Sequence, residues 1–255
     1  MLTNMPPSFF RALERETYAH EPFSANPVLV SSEVNLERVL INYSSLVMWI
    51  VPILRIVRDR AAEEGYDHLV KELTRNIAEE LGSESEGVAH REIFADCLKE
   101  HFGIEVICKT SPRLSHYDPA TESFINSLLA LVREGSFADA LGVIYALEVT
   151  ATPELRVLGR LINQLAIEKG GTPPLTDEHL LGADTKGEFA HNTTTIQGFL
   201  VNHVSTWEAG HRDLLEVAIN DSHALCSEAP REAIASGYRN VLGQMTLWWR
   251  AMATL

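Results

Sequence analysis

The stretch FLVNHVSTWEAGHRDLLEVAI, residues 199–219, decides the reading of this chain. It lacks the period-two alternation of a strand and reads as part of one long helix. It carries three groups able to hold a cation or move a proton, His203, Glu208 and His211. Glu208 and His211 are three apart and share a face, roughly 60° around the helix at about 100° per residue. His203 lies five before Glu208, an offset of about 140°, and eight before His211, about 80°. A one-residue π-bulge between 203 and 208 would absorb the extra residue and bring the three together, and such bulges are frequent at functional sites. Without the bulge the stretch offers two surface histidines and a solvated glutamate.

Outward from there the pattern stays helical. Helices are expected at about 8–18, from Ser31 to Gly65 with Ser31 or Ser32 as cap, and from Tyr66 to Leu81. Others are expected at 88–102, 118–134, 136–150, 153–169, 186–219 and 228–253. Breaks fall at HEPFSANP (20–27), SESEG (83–87), GGTPP (170–174) and SEAP (227–230). Residues 104–116 are the one stretch that could be extended, and they read better as a loop with a turn. The fold class is all-α, a bundle of seven to nine helices in a single domain over 1–255, with residues 1–30 as an arm packed on it. The longest apolar run, Leu46 to Leu54, is far short of the roughly 20 residues of a membrane span and reads as a core helix bent by Pro52.

The net charge of −14 argues against a nucleic-acid partner, whose phosphates call for Lys and Arg, and against anionic membrane surfaces. It is compatible with simple solubility, or with carboxylates gathered around an internal cation. Cys97, Cys108 and Cys226 form no CxxC, so no thiolate metal site or disulfide framework is expected. The N-terminal MLTNMPPSFFRALERE does not read as a signal peptide, and a reducing cytoplasm is the expected compartment.

Phosphate-binding loops and the nucleophile elbow are missing from the sequence. A bundle then builds its site from side chains on facing helices. Two further places qualify. In NIAEELGSESEGVAHREIF (76–94), Glu79 and Glu80 end one helix and His90 begins the next. In ADALGVIYALEVTATPEL (138–155), Glu148 interrupts an apolar run; it either points to solvent or has a partner, because an unpaired buried carboxylate is costly. Glu79 or Glu80, His90, Glu148, His203, Glu208 and His211 are thus candidate metal ligands. Mixed His and carboxylate ligation suits non-haem iron, with manganese as runner-up. Convergence of these side-chain tips within about 6 Å of one centre is the geometric expectation. Glu188 and His191 share helical spacing but read as an exposed cap, and His20 as part of a packed loop. Trp207, Trp248 and Trp249 read as core or dimer face.

The order Asn-x-x-Glu-Glu-x-Gly, then His, then Gly-x-x-x-Ala-x-Glu, then a His/acid/His helix resembles the haem-oxygenase-like superfamily. The branch is the one that includes CADD, PqqC and TenA, and more narrowly cyanobacterial CADD-like proteins; the resemblance covers about residues 20–250. It implies a diiron-type ligand set in which the first Glu falls on Glu79 or Glu80, the first His on His90, the second Glu on Glu148, the acid on Glu208 and the last His on His211. This chain departs in a longer loop before His90, in Glu for Asp at 208, and in one extra residue before it. His203 matches only if the helix bulges; otherwise Val204 takes its place. TenA-type chemistry would need a nucleophilic Cys, and no matching motif surrounds Cys97. The CADD route draws on a lysine of the helix after the second Glu, and no lysine lies between Lys109 and Lys169, although Tyr18, Tyr43 and Tyr145 are present. The resemblance implies an oxidase or oxygenase acting with O2 on a small organic substrate, in a homodimer. The alternatives are a metal-free PqqC-like oxidase and a non-enzymatic CADD-like interaction protein.

Overall fold

A computed structural model of the chain describes residues 7–31, 33–106, 113–182 and 194–255. The helices are α1 (Pro7–Ala19), the short turns α2 (Glu21–Ser24) and α3 (Pro27–Val30), α4 (Leu36–Glu63), α5 (Asp67–Glu80) and α6 (His90–Phe102). Then come α7 (Pro119–Glu134), α8 (Phe137–Glu168), the short α9 (Asp177–Leu180), α10 (Ile196–Asn202), α11 (Glu208–Asp221) and α12 (Glu228–Met252). Among the described residues there is no strand. The architecture is an all-α bundle with eight long helices.

α8 is its axis. This helix of 32 residues buries nearly all of its first half and packs against α12, α11, α4 and α7. α12 makes the broadest contact with it. A Cβ on Gly142 would lie 2.1 Å from the Ile234 carbonyl oxygen, and one on Gly237 2.1 Å from that of Asp139. The two backbones therefore meet where neither residue has a side chain. Two helices expected at 136–150 and 153–169 are one, because Pro153 sits inside α8 rather than ending it. Proline forfeits one backbone bond, and burial against neighbours on several sides outweighs that loss.

Other limits moved for local reasons. α4 starts at Leu36, not Ser31, because the Asn35 side chain accepts from the Arg38 N–H at 3.1 Å. Thr195 caps α10 in the same way by accepting from Gly198 at 3.2 Å, and residues 183–193, with Glu188 and His191, lie outside the described residues. Residues 104–106 are not extended pairs of a sheet, and 114–116 form a single 3-10 turn; residues 107–112, with Cys108, are not described.

α4 is long and apolar enough to cross a membrane by length and composition, yet 61% of its apolar window is buried inside the protein, with Pro52 within it. It is a core helix. α1 packs on α8 and α12: Phe10 meets Tyr145 edge-on at 4.9 Å and Thr17 hydrogen-bonds Tyr238. Trp248 and Trp249 are wholly buried within the chain, so they are core and not a dimer face.

Candidate metal centre

Four elements deliver the seven singled-out side chains to one place. α5 ends on Glu79 and Glu80, α6 begins on His90, α8 carries Glu148, and the α10–α11 segment carries His203, Glu208 and His211. Glu79, His90, Glu148, His203, Glu208 and His211 are buried, and the Glu80 side chain is 13% exposed.

The turn between Glu80 and His90 is set by Gly82, which has φ +102° and whose missing Cβ would lie 2.7 Å from the backbone of Gly87 and Val88. Only glycine adopts that conformation and permits that approach. Ser85 Oγ donates to the Val88 carbonyl at 2.6 Å, closing the loop just before His90.

Between α10 and α11 the backbone forms a π-helical segment, His203–Trp207, in which the Glu208 N–H reaches the His203 carbonyl. This is the bulge that the spacing of five called for. His203 turns inward, and Val204 packs into the core instead of replacing it. His203 Nδ1 donates to the Phe199 carbonyl at 2.7 Å, which fixes the tautomer and leaves Nε2 facing His90 Nδ1 at 3.2 Å. Burial, and then His90, hold His203 well below the ordinary imidazole value, so it is neutral.

The cluster has two halves. Glu80 Oε2 and His203 Nε2 both lie 3.2 Å from His90 Nδ1. In the other half, Glu148, Glu208 and His211 each offer one donor atom within 4.8 Å of the others, near the spacing around one ion with bonds of about 2 Å. Asn76 Nδ2 donates to Glu148 Oε1 at 2.6 Å, and His211 Nδ1 lies 3.4 Å from Glu148 Oε2. His211 Nε2 donates to Glu79, which is also held by Arg75. Glu79 and Glu80 part company in the fold: Glu80 sits with His90 and borders the cavity, while Glu79 contacts His211.

The electrostatics follow. Burial works against charge on His211, but hydrogen bonds to Glu148 and Glu79 overcome it and push the imidazole up to about 11. Its stabilising effect on the metal-free chain is present below the ordinary value of about 6.5 and is lost as pH climbs toward the raised one. Burial, then the nearby Glu148, raises Glu208 well above the carboxylate range. Buried carboxylates crowded on too few cations suit a cation's arrival, and His90 Nε2 is buried with no hydrogen-bond partner among the described residues. The donor set and this orphaned nitrogen fit a metal ion.

A cavity of about 90 Å3 adjoins the cluster, lined by Glu80, His90, His203 and Glu208 and by apolar residues of α4 and α8. It also reveals a residue that the sequence reading passed over. Glu154 is 2% exposed, lines the cavity and accepts from Trp249 Nε1 at 3.2 Å. Burial pushes its carboxyl up to about 8, against the Trp249 hydrogen bond. A carboxyl raised in the fold costs stability above its ordinary value, increasingly until the pH passes the raised one; at pH 7 that is about 3 kcal/mol. Glu154→Gln is therefore expected to melt several degrees higher than the parent at pH 8, with the gain fading by pH 5. A gain that does not change with pH would contradict this origin.

Trp207 stacks on the His90 ring at 5.6 Å, an arrangement not anticipated. Cys97 is buried, absent from the cavity wall, and its thiol is pushed by burial up to about 12, so it is no thiolate nucleophile. Of the three tyrosines, Tyr43 lines the cavity, Tyr145 donates to Glu14 and Tyr18 is exposed. His20 contacts Thr246 and does not line the cavity.

A family model described as "Domain of Unknown Function with solved-structure structure (DUF3865)" matches residues 23–255. The chain belongs to the DUF3865 family. Among solved structures, this DUF3865 chain is similar to a CADD-like protein of unknown function from Nostoc punctiforme, at 23% identity, TM-score 0.74, and coverage of 96% of this chain and 97% of that one. A second crystal structure described in the same terms, at 1.35 Å resolution, gives a TM-score of 0.72. A TenA homologue from Pyrococcus furiosus matches at 15% identity and TM-score 0.55, covering 95% of each chain. These likenesses show a shared all-helical fold. No curated protein matches the chain.

Proposed function

We propose that this protein binds non-haem iron, one or two ions, through Glu80, His90, Glu148, His203, Glu208 and His211, and uses it with O2 to oxidise a small organic substrate. Manganese is the second choice of metal. The observation that carries the reading is the convergence of buried carboxylates and histidines from four elements beside an internal cavity. When bound, iron would supply one-electron and O2 chemistry. The chain's own residues hold the geometry: the Phe199 carbonyl fixes His203, and Glu79 orients His211 by accepting its Nε2 proton. Leu46, Val47, Ile50 and Leu155 give the cavity apolar walls. A cytoplasmic setting would keep the buried thiols reduced and iron available.

Anaerobic loading with Fe2+ followed by metal analysis tests this. The expected result is about one to two irons per chain; substoichiometric traces that do not respond to substitution of Glu148 or His211 would overturn it. Affinity should also rise with pH. His211 holds its proton through neutrality in the metal-free protein, so a metal that takes its nitrogen must displace that proton. Each proton released makes binding about tenfold tighter per pH unit, so Mn2+ titrated at pH 6 and pH 8 should bind at least about a hundredfold tighter at the higher pH.

A metal-free oxidase would instead keep its turnover in strong chelator. The cavity wall gives that reading little support, because no arginine lines it among the described residues. An interaction protein would display these residues, and they are buried.

A further inference from the structure

The cavity wall is apolar except at two places. One is the cluster of His and carboxylates; the other is Glu154, with Tyr43 from α4 in the same wall. Other carboxylates of the site face a cationic or protonatable side chain: Glu79 has Arg75 and His211, Glu80 has His90, and Glu148 has His211. Glu154 has none. Among the described residues its one hydrogen bond comes from the neutral Trp249 indole, to Oε1. No Lys or Arg lines the cavity among the described residues. A buried carboxyl without a cation is costly, and the wall that holds it is a place where a ligand can supply the missing charge.

We propose that this cavity takes a short, otherwise apolar primary amine, whose ammonium group pairs with Glu154 while its carbon chain lies against Leu46, Ile50 and Leu155. The inference rests on the reading of the site above and names its substrate class. A carboxylate ligand brings no cation to pair with Glu154. Size limits the ligand too: an apolar cavity of about 150 Å3 takes benzene, and this one of about 90 Å3 takes a chain of a few carbons. Burial keeps Glu154 largely protonated at neutral pH. Pairing therefore moves one proton: the carboxylic acid meets the ammonium ion, the ion pair forms, and the proton goes to the buffer.

The test is calorimetric titration of the full chain at pH 7 with n-butylamine, n-butanol and butyrate, with and without Mn2+, in two buffers of different ionisation enthalpy. n-Butylamine should bind at least about tenfold tighter than n-butanol, butyrate least, and close to one proton should be released per amine bound. Glu154→Gln should weaken the amine about a hundredfold, leave the alcohol little changed and abolish the proton release. Ala151→Leu, which fills the cavity, should weaken amine and alcohol alike, and it keeps the test open should Glu154→Gln fail to fold. Alcohol binding as tight as amine, or amine binding indifferent to both substitutions, overturns the inference. A chain that takes up Mn2+ but ignores n-butylamine refutes this proposal alone. A chain that binds n-butylamine through Glu154 but takes up no Mn2+ supports it and refutes the metal reading.

Discussion

Glu148→Gln is expected to abolish metal uptake while leaving the bundle folded. Glu148 stands on the most buried helix, and its two oxygens face different partners: Asn76 at 2.6 Å on one, His211 at 3.4 Å on the other. Glutamine keeps an oxygen for Asn76, so no donor there is orphaned. It removes the negative charge that holds His211 as a cation and that helps raise the Glu208 carboxyl. The metal-free chain loses an attraction and a repulsion together, and its melting temperature should move by only a few degrees. The metal loses an anionic donor, and affinity should fall by more than the ten- to hundredfold typical of an outer-sphere change. Glu80→Gln should behave the same way. Glu79→Gln should not: Glu79 acts through His211, so it should weaken binding about ten- to hundredfold without abolishing it. Equilibrium dialysis against Mn2+, with thermal melts of each variant, reads all three. Abolition by Glu79→Gln with Glu80→Gln near the parent would reverse their roles.

What the sequence showed and what it hid divide along physical lines. Helical identity is local, so apolar periodicity placed most of α1, α5, α6, α7 and α12 within a few residues. The candidate residues were legible because a polar residue in an apolar run is conspicuous, as with Glu148 among Gly142 to Val149. The rest depended on contacts distant in sequence. The expected helices at 136–150 and 153–169 follow local pattern, whereas the packing that carries α8 through Pro153 comes from four other helices. Glu154 falls at the start of the second expected helix, where an acid is unremarkable, and it is a buried cavity residue. The pairing of Gly142 with Gly237 was invisible for the same reason, since each glycine is explained only by the other helix. Spacing does not tell Glu79 from Glu80, because adjacent helical residues differ in direction by about 100° and the face of α5 that packs inward is set by residues distant in sequence.

The π-helical segment gives the second large effect, and it is asymmetric. Inserting one alanine after Ser205 should destroy the site, whereas deleting Ser205 should preserve it. In a regular helix the spacing of five sets His203 about 140° from Glu208. The wide turn at His203–Trp207 absorbs one residue, so both side chains face inward. Deleting Ser205 leaves His203 four before the acid and seven before the last histidine, spacings that a plain α-helix sets on one face. The exposed Ser205 side chain is lost, together with a close backbone approach at Gly182, for a cost of about 1–2 kcal/mol. The hydrogen bond from His203 Nδ1 to the Phe199 carbonyl lies before the deletion and survives. An insertion adds a second extra residue, which the π turn has no room to absorb. Everything on one side of it must rotate by about 100° and shift by about 1.5 Å. Either His203 leaves His90, or Glu208 and His211 leave Glu148, and buried charges are stranded at a cost of several kcal/mol. Mn2+ binding should be near the parent's in the deletion variant and absent in the insertion variant, with the insertion melting far lower. Loss of metal in a well-folded deletion variant would show that the bulge does more than take up a surplus residue.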